Sequence, residues 1–186
     1  MVYSIWEKHS IRCVTNIITK GATPTTYGYD FVEHGEDAIR FIGAYNCSID
    51  GRFKSNSDKW ITTDANKMIK RSILESGDSI FCIVGNTIGS SFKVTRDILP
   101  ANINQNVALI RPDQKKINED FLHYYLRSTY IKWQVQQEAS IQAQPSLSLQ
   151  QIGNFKINVP PLPEQIKIAE ILSTWDNAIN TVQKLL

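Results

Sequence analysis

The stretch from Asn158 to Leu186 constrains this chain most, because it fixes the start and one face of a helix. Pro160-Pro161-Leu162-Pro163 leads straight into Glu164-Gln165. Proline suits a first helical turn: its φ is already helical, and the N–H it lacks would have had no partner there. Glu164 adds negative charge near the positive end of the helix dipole. Ile168, Leu172, Trp175, Ile179, Val182 and Leu186 then recur at spacings of 4, 3, 4, 3 and 4, the rhythm of a coiled-coil seam. Lys167, Glu170, Asp176, Asn177, Asn180 and Lys184 lie off that seam. The narrow stripe runs to the last residue, so upstream residues or another molecule must cover it. An assembly helix is favoured over one that only packs back on its own domain.

The remaining residues suffice for one well-cored domain, since the chain has 186 residues, 42% of them hydrophobic and 20% charged. The net charge of +2 divides unevenly. Residues 159–186 carry Lys167 and Lys184 against Glu164, Glu170 and Asp176, a balance of −1, which leaves +3 upstream. That excess permits nucleic-acid binding without announcing it. Cys13, Cys47 and Cys82 show no metal-ligand spacing and read as reduced, mostly buried thiols. The first residues lack the apolar core of a signal peptide, and no run approaches a membrane span, so a cytoplasmic protein is expected.

Along the chain, Lys20 to Pro24 is a glycine and proline loop, and Ala38 to Gly43 is a short strand. A polar stretch from Asn46 to Lys59 follows, then β-type Trp60-Ile61-Thr62. Ala65, Met68, Ile69 and Ile73 have helical spacing, with Thr63 or Asp64 as the N-cap. Ile80 to Val84 is apolar throughout and reads as a core strand. It ends at Gly85-Asn86-Thr87-Ile88-Gly89, a hairpin turn that lacks the Gly-Lys-Ser/Thr end of a phosphate loop. Ser91 to Thr95 is the second arm, and Val107 to Pro112 a further strand. Asn118 caps a helix in which Phe121, Leu122, Tyr125, Leu126 and Thr129 recur, with Tyr124, Tyr130 and Trp133 widening its aromatic surface. Gln134 to Gln151 is glutamine-rich and broken at Pro145; the last strand is Phe155 to Val159.

The run from Ile157 through Pro160-Pro161-Leu162-Pro163-Glu164-Gln165 to Leu172, followed by Asp176, resembles the conserved-region signature of specificity subunits of type I restriction-modification systems. Other segments resemble the same family: Gly21-Ala22-Thr23-Pro24, Leu74-Glu75-Ser76-Gly77-Asp78 with the strand after it, Asn104-Gln105, and Ser146 to Leu149. The resemblance implies a non-catalytic, sequence-specific binder of duplex DNA. Its partners would be modification subunits that methylate adenine with S-adenosylmethionine and restriction subunits that cleave with ATP and Mg2+; this chain would hold no cofactor. The family carries two recognition domains and two helices, and this chain has one of each. It is therefore a fragment, or a half-size subunit that dimerises through its helix.

The expected fold is α+β: a mixed-sheet recognition domain over residues 1–158 with flanking helices, then a coiled-coil helix over 159–186. Lys and Arg hold phosphates, whereas Arg, Asn, Gln, Ser and Thr read base edges. The stretches with that mixture are Arg52, Lys54, Ser55, Asn56 and Lys59, then Asn86 and Thr87, then Lys93 and Arg96. The family-like loops add Lys20, Thr23, Asn104 and Gln105. No methyltransferase motif, Walker lysine or nucleophile elbow is present, and His9, His34 and His123 are scattered. The alternative class is an interaction module or decoy that binds modification subunits through the helix without reading DNA.

Overall fold

The computed structural model describes residues 6–55, 58–139 and 145–185, with side chains to Gln183. Asn56 and Leu186 lie outside the described residues. In chain order the elements are β1 (Glu7–Ser10), β2 (Thr15–Lys20), β3 (Phe31–Val32), β4 (Ile39–Ile42), β5 (Lys59–Ile61), α1 (Thr63–Met68), β6 (Ser79–Cys82) and β7 (Ser91–Lys93). They continue with β8 (Ala101–Ile103), β9 (Val107–Pro112), α2 (Glu119–Leu126), α3 (Thr129–Ala139), α4 (Leu149–Asn154), β10 (Lys156–Val159) and α5 (Leu162–Leu185).

The strands form an antiparallel sheet β2-β9-β6-β7, a mixed sheet β3-β5-β4-β8 in which β4 and β8 are parallel, and the pair β1-β10. The mixed sheet expected from the sequence is the second of these. β6 is apolar at successive positions because both of its faces are covered. Phe81, with Ala108 and Ile110 of β9, packs against Phe121, Leu122 and Leu126 of α2 and Ile131 and Val135 of α3. Ile80, Cys82, Val107 and Leu109 point the other way, onto Ile42, Ala101 and Ile103 of the mixed sheet. Ile39, Phe41 and Ile61 then bury a further face against Ala65 and Ile69 at α1.

Helix starts follow capping chemistry. Asn118 Oδ1 accepts from the N–H groups of Asp120 and Phe121 at 3.0 Å, as expected. For α1 the cap is Thr62, whose Oγ1 accepts from Ala65 N at 3.1 Å, and neither Thr63 nor Asp64, the two caps expected from the sequence. The helix after Asn118 is two helices: α2 ends at Leu126, and Ser128 Oγ accepts from Ile131 N at 3.3 Å to begin α3. Ser148 and Gln151 form a reciprocal capping box at α4.

β1 pairs with β10 in the register Glu7↔Val159, which sets β1 beside the start of α5. There Gln165 is 1% exposed and joins three backbone groups. Its Oε1 accepts from Asn118 N at 2.7 Å, and its Nε2 donates to Lys116 O at 3.1 Å and Pro160 O at 2.8 Å. Further along, Asp176 accepts from Arg127 at 3.2 Å, while Asn180 and Gln183 accept from Arg52. Gln165, Ala169, Asp176, Asn180 and Gln183 share one face at 3.6 residues per turn. The helix thus turns a mainly polar face to its own domain.

Candidate nucleic-acid interface

Chain direction gathers four connections at one end of the two four-stranded sheets. β2 and β6 run toward that end, β9 and β7 run away from it, β4 and β8 both arrive there, and β5 begins there. The segments at this end are therefore 20–24, 43–46 with 54–55 and 58–59 of the β4–β5 connection, 83–90 and 104–106. Nine of the residues singled out from the sequence sit on them: Lys20, Thr23, Lys54, Ser55, Lys59, Asn86, Thr87, Asn104 and Gln105.

Hydrogen bonds tie these loops together. Thr23 Oγ1 donates to Gln105 Oε1 at 2.6 Å, and Gly21 N donates to Asn104 O at 3.2 Å. Gly21 permits that approach: a Cβ there would lie 1.7 Å from Ile103 O. Asn104 N donates to Ile42 O at 2.8 Å, and Thr87 Oγ1 donates to Ala44 O at 3.4 Å. The buried Asn46 ties the two ends of the β4–β5 connection together. Its Oδ1 accepts from Gly43 N at 2.9 Å, and its Nδ2 donates to Lys54 O at 2.7 Å and Asp58 Oδ1 at 3.1 Å. Asp58 is fixed in turn by Arg40 at 3.1 Å.

On this frame Lys20, Lys54, Ser55, Lys59, Asn86 and Gln105 are exposed, and Thr23, Thr87 and Asn104 are half-buried. Lys59 Nζ sits 5.2 Å from the Phe31 ring and 5.7 Å from the Tyr45 ring, so two π faces hold the cation in place. Burial, with the Asp58 charge second, pushes the Tyr45 phenol up to about 12, so it stays a hydrogen-bond donor, to Phe41 O at 3.0 Å. Tyr45 and Phe31 were not singled out from sequence; Tyr45 is an isolated aromatic in a turn and Phe31 opens a two-residue strand, too short for a periodic signal.

Three other candidates lie elsewhere. Arg52 is directed onto α5, bonding Asn180 and Gln183, with Asp50 at 3.4 Å. Lys93, at the opposite end of β7, bonds Asp120 and lies 3.9 Å from Glu119. Arg96 is exposed in the turn Arg96–Ile98, beside the start of β4, again away from the loop end.

The apolar stripe of α5 is a second surface. Leu172, Trp175, Ile179 and Val182 are exposed, Trp175 to 66%, and Ile168 is half-buried. Among the described residues no three His, Cys, Asp or Glu side chains come together to hold a metal, and no helix is long and apolar enough to cross a membrane. Cations and amide and hydroxyl groups on tied loops can grip phosphate and pair with base edges.

Residues 5–186 match the family described as the type I restriction modification DNA specificity domain. The chain belongs to that family. It is 33% identical over 159 residues to the type I restriction enzyme MjaVIII specificity subunit of Methanocaldococcus jannaschii, covering 84% of this chain and 37% of that protein. It is 30% identical over 161 residues to the EcoBI specificity subunit of Escherichia coli, covering 83% of this chain and 32% of that one. Its fold matches the HsdS subunit from Thermoanaerobacter tengcongensis with a TM-score of 0.71 at 20% identity, over 97% of this chain and 44% of the other. The specificity domain thus spans about a third of these curated relatives and under half of the solved subunit. Its α+β body and terminal helix are those expected from the sequence.

Proposed function

We propose that this specificity domain reads duplex DNA as one recognition half of a type I restriction-modification complex, with its loop end on the DNA. The supporting observation is the convergence of Lys20, Lys54 and Lys59 with Asn86, Thr87, Asn104 and Gln105 on loops braced by two sheets. Lysines there neutralise phosphates and set affinity and salt dependence. Amide and hydroxyl side chains pair with base edges in the major groove.

The 24-residue α5 is about 36 Å long, a rigid arm that starts beside Asn118 and passes Arg127 and then Arg52 along its length. Its exposed stripe pairs with a second helix, from the other half of a longer subunit or from a second copy. Two recognition halves held at a fixed separation then read an interrupted site whose gap is set by helix length. Chemistry belongs to other subunits: methyl transfer from S-adenosylmethionine on modification subunits, and ATP- and Mg2+-dependent cleavage on restriction subunits. The chain itself is non-catalytic and works in the cytoplasm.

Fluorescence anisotropy with labelled duplex across a salt series tests this reading. Lys20→Ala/Lys54→Ala/Lys59→Ala reduces the steepness of log affinity against log salt by roughly 3, about one unit for each phosphate no longer neutralised. Lys93→Ala, at the far end and paired with Asp120, leaves the slope unchanged. Equal slopes for the triple variant and the parent would sink the assignment. A folded chain that captures a modification subunit yet binds no duplex would support the decoy reading instead.

A further inference from the structure

A cavity of about 610 Å³ opens between α3 and the β6–β7 hairpin, and DNA reading makes no use of it. Lys132, Val135, Gln136 and Ala139 share one face of α3 at helical spacing and form one wall. The hairpin from Asn86 to Ser91 forms the other, and Ile49, 74% exposed, stands at the rim. The two walls touch at Gly89, where an added Cβ would lie 3.3 Å from Val135 Cγ1. Polarity changes along the cavity. Arg127 and Lys132 lie at the α2–α3 corner, whereas Ala139 ends α3 about 10 Å further on, with Pro145 beyond it.

We propose that this cavity binds a small aliphatic carboxylate, its chain held between α3 and the hairpin and its carboxylate at the Lys132 end. Among the described residues every charged group on the lining is a cation. Arg127 already donates to Asp176 at 3.2 Å and to Asp50 O at 2.6 Å. Lys132 is exposed and has no carboxylate partner among the described residues. An anion therefore complements this end, and apolar walls beside it strengthen the attraction by keeping water away.

Ser91 is an independent pointer to a ligand. It lines the cavity, is 1% exposed, and its Oγ has no hydrogen-bond partner. A carboxylate oxygen would give that stranded donor an acceptor and offset its desolvation. The rest of the lining selects the body of the ligand. Ile88, Val135, Ala139 and Pro145 present aliphatic surface, and no aromatic ring lines the cavity among the described residues, so a chain fits better than a planar ring that needs a stacking partner. The volume falls within the range of about 300–1,000 Å³ that suits small-molecule ligands.

Occupancy reaches the DNA side through the hairpin. Asn86 and Thr87, assigned above to base edges, line the same cavity as Ile88 and Ser91, so a bound chain bears on the loop that carries them. The loop then changes its setting and duplex affinity falls. That consequence rests on the reading proposed above; the site itself does not.

The test titrates the full chain with octanoate, and separately with octanol and naphthoate, by calorimetry and by amide chemical shifts. The expected result is saturable octanoate binding, with shifts centred on the hairpin and the Lys132–Ala139 face, and octanol bound about tenfold more weakly. Lys132→Ala should lower octanoate affinity about tenfold and leave octanol unchanged. Ser91→Ala removes an unpaired buried hydroxyl, so its urea midpoint should stay level or rise while octanoate affinity falls. That split separates a ligand contact from a folding defect. No saturable binding, equal affinity for octanoate and octanol, or shifts confined to the exposed stripe of α5 would overturn the site. Naphthoate binding tighter at the same residues would overturn the aliphatic class. Duplex affinity is measured with and without saturating octanoate. An unchanged affinity with octanoate bound would overturn the regulatory part, whereas a chain that binds no duplex in either state would defeat the DNA reading and leave the site to be judged by calorimetry.

Discussion

Replacing Gln165 with alanine isolates what joins the helix to the domain. The side chain is 1% exposed and serves the backbone N–H of Asn118, which caps α2, and the carbonyls of Lys116 and Pro160. Alanine leaves one donor and two acceptors without that amide, and each buried polar group stranded costs about 1–3 kcal/mol. Water entering the small cavity satisfies part of the loss, so the expected destabilisation is about 2–4 kcal/mol. With a urea m-value of about 2 kcal/mol per molar, the unfolding midpoint falls by roughly 1–2 M. Gln165→Glu is at least as costly, because it keeps the acceptor but sets a carboxylate against two carbonyls. Leu172→Ala and Trp175→Ala remove exposed side chains and shift stability of the dilute chain by no more than about 0.5 kcal/mol. If Gln165→Ala moves the midpoint by less than Leu172→Ala does, the polar face is not what holds the helix, and the reasoning fails.

Three more outcomes follow from the geometry. Gly21→Ala drives a Cβ into Ile103 O, so calorimetry should show a loss at or above the usual ~1–3 kcal/mol of an overpacked site, and duplex affinity should fall with it. Burial, then the Arg127 and Lys93 charges, hold His123 down to about 4, so the unfolded chain takes up that proton first as pH falls. Its contribution is intact above about pH 6.5 and is lost on acidification toward pH 4, a total of about 3 kcal/mol. Urea midpoints across that range should show this slope, and His123→Gln should flatten it. Arg127→Met removes the bonds to Asp176 and Asp50 O, so hydrogen exchange should rise in α5 from Ser173 onward while the sheets stay protected.

Local chemistry was legible in the sequence wherever a few neighbouring residues decide it. Asn118 announces α2 because its cap needs only the next three residues, and β6 announces itself as a run covered on both faces. The α1 cap falls upstream of both expected residues, since threonines at 62 and 63 are equivalent in sequence and only the backbone selects Thr62. Long side chains are less readable. Arg52 and Lys93 look like free cations until residues 128 and 27 positions away meet them. Gln165 belongs to the segment that carries the family resemblance, yet its task depends on Lys116 and Asn118, which only the fold brings near. Most of the loop end was legible as residue types; the depth and bracing of each loop were not, because they follow from the strand order.

The central claim is that the loop end selects DNA sequence, and selection from a random duplex library tests it most directly. The full chain, and the variants Asn86→Ala/Thr87→Ala and Asn104→Ala/Gln105→Ala, are each cycled against the library and the bound duplexes sequenced. The account predicts one enriched short motif for the parent, with each variant relaxing preference at different positions. Enrichment of no motif by a folded chain, or the same motif undiminished in both variants, would contradict it.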